Sequence, residues 1–404
     1  MHNNNKIKIS LLTGGDDPSY ALPLLSSLIS QGIRVDFIGN NAMQSNDVVN
    51  NKNVNYLNLR GDQSESAPIT RKIVRIVKYY CRLLKYTAQT DSKIFHILWL
   101  NKFVYFDRTI LNLYYKMLGK KLIFTAHNVN AGERDENDTI LNELSLKFMY
   151  RIIDHIFVHT EKMKRQLIET FGVKERKVTV IPFGVNNYVP NSKITGKEAR
   201  ARLHLDNKQN IVLFFGQIAP YKGLKYLILA LVSLKQHHND LRLIIAGRIK
   251  KGWHQYWEDI QRIIEKHNLK EYIISKIEFI PDEEVEVYFK AADVLALPYK
   301  NIFQTGVLFL AYNFGLPAIA SDVGSLREEI IEGKTGYVCQ TENPEDLAEK
   351  IDLYFHSDLY KNLEVNRAQI IKYANEKYSW EKIGEKTSAV YQNLIEDWRS
   401  GLSE

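Results

Sequence analysis

Lys222 stands in FFGQIAPYKGLKYL, residues 214–227, where a lysine could hold a phosphate. Gly216 closes an apolar run that reads as a strand, and Lys222-Gly223 open a run that reads as a helix. A cation beside a helix N-terminus adds to the positive end of the helix dipole, which suits a diphosphate. A second anion-holding pattern is IFQTGVLFLAYNFGLP, residues 302–317. There Gln304, Thr305, Gly306 and Val307 begin an apolar helix whose first amides have no intrahelical acceptor. Gln304 and Thr305 could add side-chain hydrogen bonds.

Two further loops carry candidate chemistry. In TGGDDP, residues 13–18, Gly14 and Gly15 let backbone approach a ligand closely. Asp16 and Asp17 are adjacent carboxylates that point apart, so a shared metal is not expected. Asp17, before Pro18, is expected to cap a helix. In TAHNV, residues 125–129, His127 follows an apolar strand and would point into a cleft between domains. From there it could donate to a sugar hydroxyl or steer a phosphate. Each pattern also has a bland reading: a tight turn, a capped core helix, a surface lysine, a structural histidine. Placement directly after strands favours function, because ligands of parallel sheets sit at the strands' carboxyl ends.

The elements that would position these residues alternate along the chain. Strands are expected at 34–39, 94–98, 121–126, 155–160 and 178–182, with helices between. The alternation resumes at 210–216, 241–247, 276–280, 294–298 and 335–338, and the last 60 residues read as helical. Strands alternating with helices imply parallel sheets covered on both faces. The expected architecture is α/β, with two doubly wound parallel-sheet domains facing an interdomain cleft. Residues 1–188 would form the first, 189–208 a linker, 209–380 the second and 381–404 a C-terminal helix crossing back to the first.

With 404 residues, 45% hydrophobic and 25% charged, the chain has the composition of an ordinary globular protein. Cys81 and Cys339 lie far apart and fit no metal or redox spacing, so neither a metal nor a disulfide is expected. No apolar run reaches the length of a membrane span, and the N-terminus has no signal-peptide apolar region. A cytoplasmic setting is the expectation.

Charge is uneven. Residues 1–185 carry 26 Lys/Arg and 17 Asp/Glu, and the remainder 28 and 30, so the first half is +9 and the second −2. RKIVRIVKYYCRLLKY, residues 71–86, places Ile73, Ile76, Val77, Tyr80, Leu83 and Leu84 on one helical stripe and Arg75, Lys78, Arg82 and Lys85 on another. Such a helix either lies at an anionic membrane surface or packs its apolar side into the core. The second reading is the expectation; the basic first half keeps the first in play.

Taken in order, these loops resemble the two-domain retaining glycosyltransferases of the GT-B type, family four (group one). The resemblance runs through nearly the whole chain: Gly14-Gly15, TAHN, EKMKRQLIETFGVKERKVTVIPFGV, FFGQIAPYKGLKYLI, FIPDEEVEVYFKAADVLALPY, GLPAIASDVGSLREEIIEGKTGYV and YSWEKIGEKTSAVY. It implies a Rossmann-like GT-B fold and transfer of a sugar from a nucleotide-sugar to a glycan or lipid-linked acceptor, with no metal, other cofactor or nucleic acid involved. Lys222 matches the family's phosphate-binding lysine and His127 its histidine near the donor sugar; these two are the expected catalytic residues. The expected donor-binding set is Gly14, Gly15, Gly216, Gln217, Lys222, Gln304, Thr305, Gly306 and Val307. Asp16, Asn128 and Arg134 are expected on the acceptor side.

Two departures stand out. The family's paired glutamates fall at Ile302 and Leu310, and its usual arginine falls at Gln217. QTGV resembles the Gln-Ser-Gly-Val of a subgroup that also lacks the glutamates. A non-catalytic sugar-binding relative, or an epimerase on the same architecture, are the competing readings.

Overall fold

The computed structural model describes residues 7–14, 17–64, 67–134, 138–185 and 187–400, the side chains of Arg134 and Arg399 excepted. The chain divides into two compact units, Met1–Gly184 with Ser379–Glu404, and Val185–Tyr378.

In the first unit, seven parallel strands follow the apolar runs: Lys8–Thr13 (β1), Arg34–Ile38 (β2), Val54–Leu57 (β3), Ile94–Trp99 (β4), Lys121–Thr125 (β5), His155–Val158 (β6) and Val178–Val180 (β7). Their order is β3-β2-β1-β4-β5-β6-β7, with register such as Leu11↔Phe37 and Leu11↔His96. The direction of winding reverses between β1 and β4, the place where such sheets bind ligands. Leu24, Leu25 and Leu28 of the helix Pro18–Ser30 are buried against this sheet, together with Ile383 and Tyr391 of the C-terminal helix Trp380–Arg399.

The second unit has six parallel strands: Asn210–Phe215 (β8), Leu241–Ala246 (β9), Ile273–Lys276 (β10), Val294–Leu297 (β11), Ala318–Ser321 (β12) and Gly336–Cys339 (β13). Their order β10-β9-β8-β11-β12-β13 reverses between β8 and β11. The helices Leu224–Leu234 and Pro344–His356 bury Leu227, Leu231, Leu347 and Ile351 on it. The two doubly wound α/β sheets are those expected.

Several elements differ from the sequence reading. β3 was not anticipated; it is a four-residue edge strand, only partly buried, so its apolar signal is weak. β10 lies at 273–276 rather than 276–280, because pairing of Ile273 with Leu243 and Lys276 with Ala246 sets its position. Asp17 occupies the N-cap position without a side-chain cap bond; its carboxylate accepts instead from Ser19 Oγ at 2.5 Å.

Residues 189–208, expected as a linker, lie in the second unit. Within them Gly196–Arg202 is a helix closed by a capping box between Thr195 and Glu198. Arg200 fastens it: both Asp293 carboxylate oxygens accept from its Nη2 at 2.8 Å, and Ala291 O accepts from its Nε at 3.0 Å.

The basic helix runs Ile69–Gln89. Tyr79, Tyr80 and Leu83 are buried, but Ile73 is 57% exposed and Val77 55%. The expectation that its apolar stripe faces the core holds only for the C-terminal half.

Candidate functional site

In the second unit, β8 delivers its carboxyl end to Gly216, whose φ of +110° is open to glycine, while Gln217 beside it is exposed. The turn Pro220–Lys222 then carries the lysine to the carboxyl end of β11. Gly223 permits this: its φ is +66°, and a Cβ there would lie 1.7 Å from Pro298 O. Lys222 is buried, and its Nζ donates to Tyr299 Oη at 2.8 Å while lying 4.1 Å from that ring's centre. Burial pushes the Tyr299 hydroxyl well above its ordinary pKa, so it stays neutral. Its oxygen lies 3.5 Å from Thr305 Oγ1. Thr305 is the N-cap of the helix Gly306–Asn313.

A buried cation, a neutral phenol and a helix N-terminus thus meet between β8 and β11. That combination suits a polyphosphate oxygen. Of the amides expected to be open, Val307 N–H is taken by Thr305 Oγ1 at a long 3.3 Å. Both polar atoms of the Gln304 side chain are shielded from solvent and have no protein partner. Ile302 and Leu310, where the resemblance implies glutamates, are buried. Gly324, at φ +59°, closes against Ile302 O, 2.1 Å from where its Cβ would be.

In the first unit, Gly14 ends β1 so close to β4 that a Cβ would lie 2.2 Å from Trp99 O. Gly15 and Asp16 fall outside the described residues, as does the side chain of Arg134, whose backbone ends the short helix Ala131–Arg134. Asn128 is half-buried after β5.

His127 stacks on Trp99 with ring centres 4.4 Å apart and 6° between planes, and meets the Tyr20 edge at 4.7 Å. Its Nδ1 lies 3.0 Å from His159 Nε2, and its Nε2 is shielded from solvent without a protein partner. Burial, then the neighbouring imidazoles His159 and His96, holds its pKa well below the usual histidine range. Burial likewise lowers His159 to about 4.

Lys222, Thr305, Gly306 and Val307 therefore gather in one unit, and Gly14 and His127 in the other. Sequence reasoning missed Tyr299 and His159. The strand-end rule that found His127 applies to both, since His159 directly follows β6 and Tyr299 follows β11 by two residues.

Residues 19–187 match the family model described as Glycosyltransferase Family 4, and residues 196–377 that of Glycosyl transferases group 1. The chain is similar to an uncharacterized glycosyltransferase of Methanocaldococcus jannaschii, 27% identical over 59% of this chain and 59% of that protein. It spans about three fifths of that relative's length. Its fold matches sucrose-phosphate synthase from Thermosynechococcus elongatus with a TM-score of 0.74 at 19% identity, covering 96% of this chain and 99% of that one. It also matches Anabaena HepE, solved in complex with UDP-glucose, with a TM-score of 0.72 at 15% identity, covering 96% and 100%.

Proposed function

We propose that this chain, which belongs to the two-domain glycosyltransferases with a family 4 region followed by a group 1 region, moves a sugar from a nucleoside-diphosphate sugar to a glycan or lipid-linked acceptor in cell-surface polysaccharide or glycolipid synthesis. The observation that carries this reading is the buried Lys222 held on Tyr299 beside the N-terminus of Gly306–Asn313. Breaking the bond between the anomeric carbon and the phosphate oxygen leaves negative charge on the diphosphate. A fixed ammonium and backbone dipoles stabilise that charge without reorganising at the moment of reaction. No metal enters this scheme. HepE, a fold relative solved with UDP-glucose, offers the donor class.

Retention at the anomeric carbon is part of the proposal, and rests on the family resemblance. So does assignment to the subgroup with Gln-Ser/Thr-Gly-Val: the buried Ile302 and Leu310 leave no carboxylate at those places, and the unpartnered Gln304 amide is the group offered in their stead.

The acceptor side of the proposal includes contact with an anionic membrane. Ile73, Val74 and Val77 of the basic helix are exposed, and so are Phe103, Val104 and Tyr105. The two groups adjoin, because Tyr80 stacks on Phe103 at 5.7 Å. The helix has six Lys/Arg and no Asp/Glu. No helix among the described residues is long and apolar enough to cross a membrane, so the contact would be interfacial.

A panel of nucleoside-diphosphate sugars tests the function. Slow release of nucleoside diphosphate, accelerated by glycan or lipid extracts, is the expected result. Binding without turnover under every condition would favour the non-catalytic reading, and epimer formation the epimerase.

A further inference from the structure

His127, His159 and Ile181 follow the adjacent parallel strands β5, β6 and β7. Their polar groups form a chain across the carboxyl edge of the sheet. His159 Nδ1 lies 3.2 Å from Ile181 O, and His159 Nε2 lies 3.0 Å from His127 Nδ1. Around them pack the rings of Tyr20, Trp99, Phe183 and Trp380, and among the described residues no carboxylate acts on either imidazole. Both imidazoles are therefore neutral at physiological pH, each with a single N–H.

The donor and acceptor roles now follow from one end. A carbonyl oxygen only accepts, so His159 Nδ1 carries that ring's hydrogen. His159 Nε2 is then bare, and His127 Nδ1 must donate to it. His127 has no hydrogen left for Nε2, the atom without a protein partner. Stacking on Trp99 and the Tyr20 edge fix the plane in which that lone pair points.

We propose that His159 is a positioning residue that makes His127 Nε2 a hydrogen-bond acceptor, so that the ligand group it selects is a hydroxyl and not a phosphate or carboxylate oxygen. This replaces the expectation that His127 donates to a hydroxyl or steers a phosphate. It rests on the transfer reading above for the identity of the ligand, a sugar, but not for the tautomer. An anionic oxygen facing a bare nitrogen has no proton to share. A hydroxyl has one, and a sugar lacking it leaves the buried nitrogen unpaired.

The test has two arms on the full-length chain. In the first, nitrogen-15 imidazole spectra of the ligand-free protein are expected to show His127 protonated at Nδ1 and bare at Nε2. His159→Gln can present its amide N–H to Ile181 O and its carbonyl oxygen to His127, and is expected to keep that form. His159→Phe, which removes the acceptor, is expected to move the proton to Nε2. A wild-type protein with its proton already on Nε2 overturns the proposal whatever the enzyme does.

In the second arm, donors with single ring hydroxyls replaced by fluorine are compared by kcat/KM. One position is expected to cost the wild type and H159Q roughly tenfold, the scale of one neutral hydrogen bond, and to cost H159F nothing further. Equal discrimination in H159F overturns the positioning role. Absence of turnover with every donor would remove the transfer reading instead, and the spectra would still decide the tautomer.

Discussion

Lys222 Nζ donates a hydrogen bond to the neutral phenol of Tyr299. That bond holds the ammonium in place and, being made to a neutral group, does not itself cancel the charge. Lys222→Ala is expected to lose roughly 10²-fold or more in transfer rate, the scale for one preorganised donor. Parental rates in that variant would exclude the phosphate role. Tyr299→Phe keeps the ring under the ammonium but removes the oxygen at 2.8 Å. It is expected to lower kcat/KM about tenfold, the lower end for a hydrogen bond to a charged group. An unchanged kcat/KM would mean that the lysine needs no tether. Lys222 was legible in the sequence because Gly216 and Lys222-Gly223 punctuate a strand and a helix. Tyr299 lay within reach of the strand-end rule, but nothing in VLALPY says which way the tyrosine turns.

At the scale of elements, the small helix Gly196–Arg202 shows how a polar stretch can be structural. Its composition reads as a tether, yet Arg200 Nη2 bonds both Asp293 oxygens in a largely buried pair, and burial still raises the Asp293 pKa against the pull of Arg200. Arg200→Ala leaves that carboxylate only the Ile211 N–H and the charge of Arg367, and is expected to cost about 3 kcal/mol, the lower end for a broken buried pair. Denaturant unfolding would measure it, and adding Asp293→Asn is expected to recover part of the loss. A cost below about 1 kcal/mol would mean the pair is not needed.

The basic helix poses the opposite case, because periodicity shows a stripe but not what covers it. With its N-terminal apolar residues uncovered, Ile73→Glu with Val77→Glu is expected to weaken flotation with anionic vesicles at least tenfold and leave neutral vesicles as poor a target as before. Equal flotation of the double variant would exclude this helix as the contact. Strands were the most legible elements, being continuous apolar runs buried on both faces. The edge strands β3 and β10 were the least, because one neighbour and partial exposure relax the pattern.

For the molecule as a whole, the buried imidazoles set the response to acid. Burial holds His96 at about 3 and His155 and His159 at about 4, and His127 is also well below the ordinary range. The unfolded chain takes up these protons near pH 6.5, whereas the folded chain refuses them until far lower. Stability therefore falls as pH drops from about 6.5 toward 4, by up to about 1.4 kcal/mol per pH unit for each histidine. Asp107, raised by burial to about 6, works the other way, since its folded carboxyl gains its proton first; Asp293 does the same. Four imidazoles outweigh two carboxyls over that window. The denaturant midpoint is expected to be lower at pH 5 than at pH 7, and a higher one would show that the histidines are hydrated. Two doubly wound sheets were legible as two alternating runs, and the last helix, expected to cross back to the first half, groups with that half.

That last helix has a temporal consequence. Trp380 covers Gly184, Gly384 lies against Ser27, and Tyr391 Oη meets His96 Nδ1 at 2.6 Å inside the first unit. A ribosome releases residues 1–184 first, then the whole uninterrupted stretch 185–378, and only afterwards the segment that seals the earlier one. At about 5–20 residues per second, the nascent first unit waits on the order of tens of seconds with one flank of Pro18–Ser30 bare. Val185–Tyr378, emerging in one piece, can close as soon as it is out, so the half that is made second is the half that can finish first.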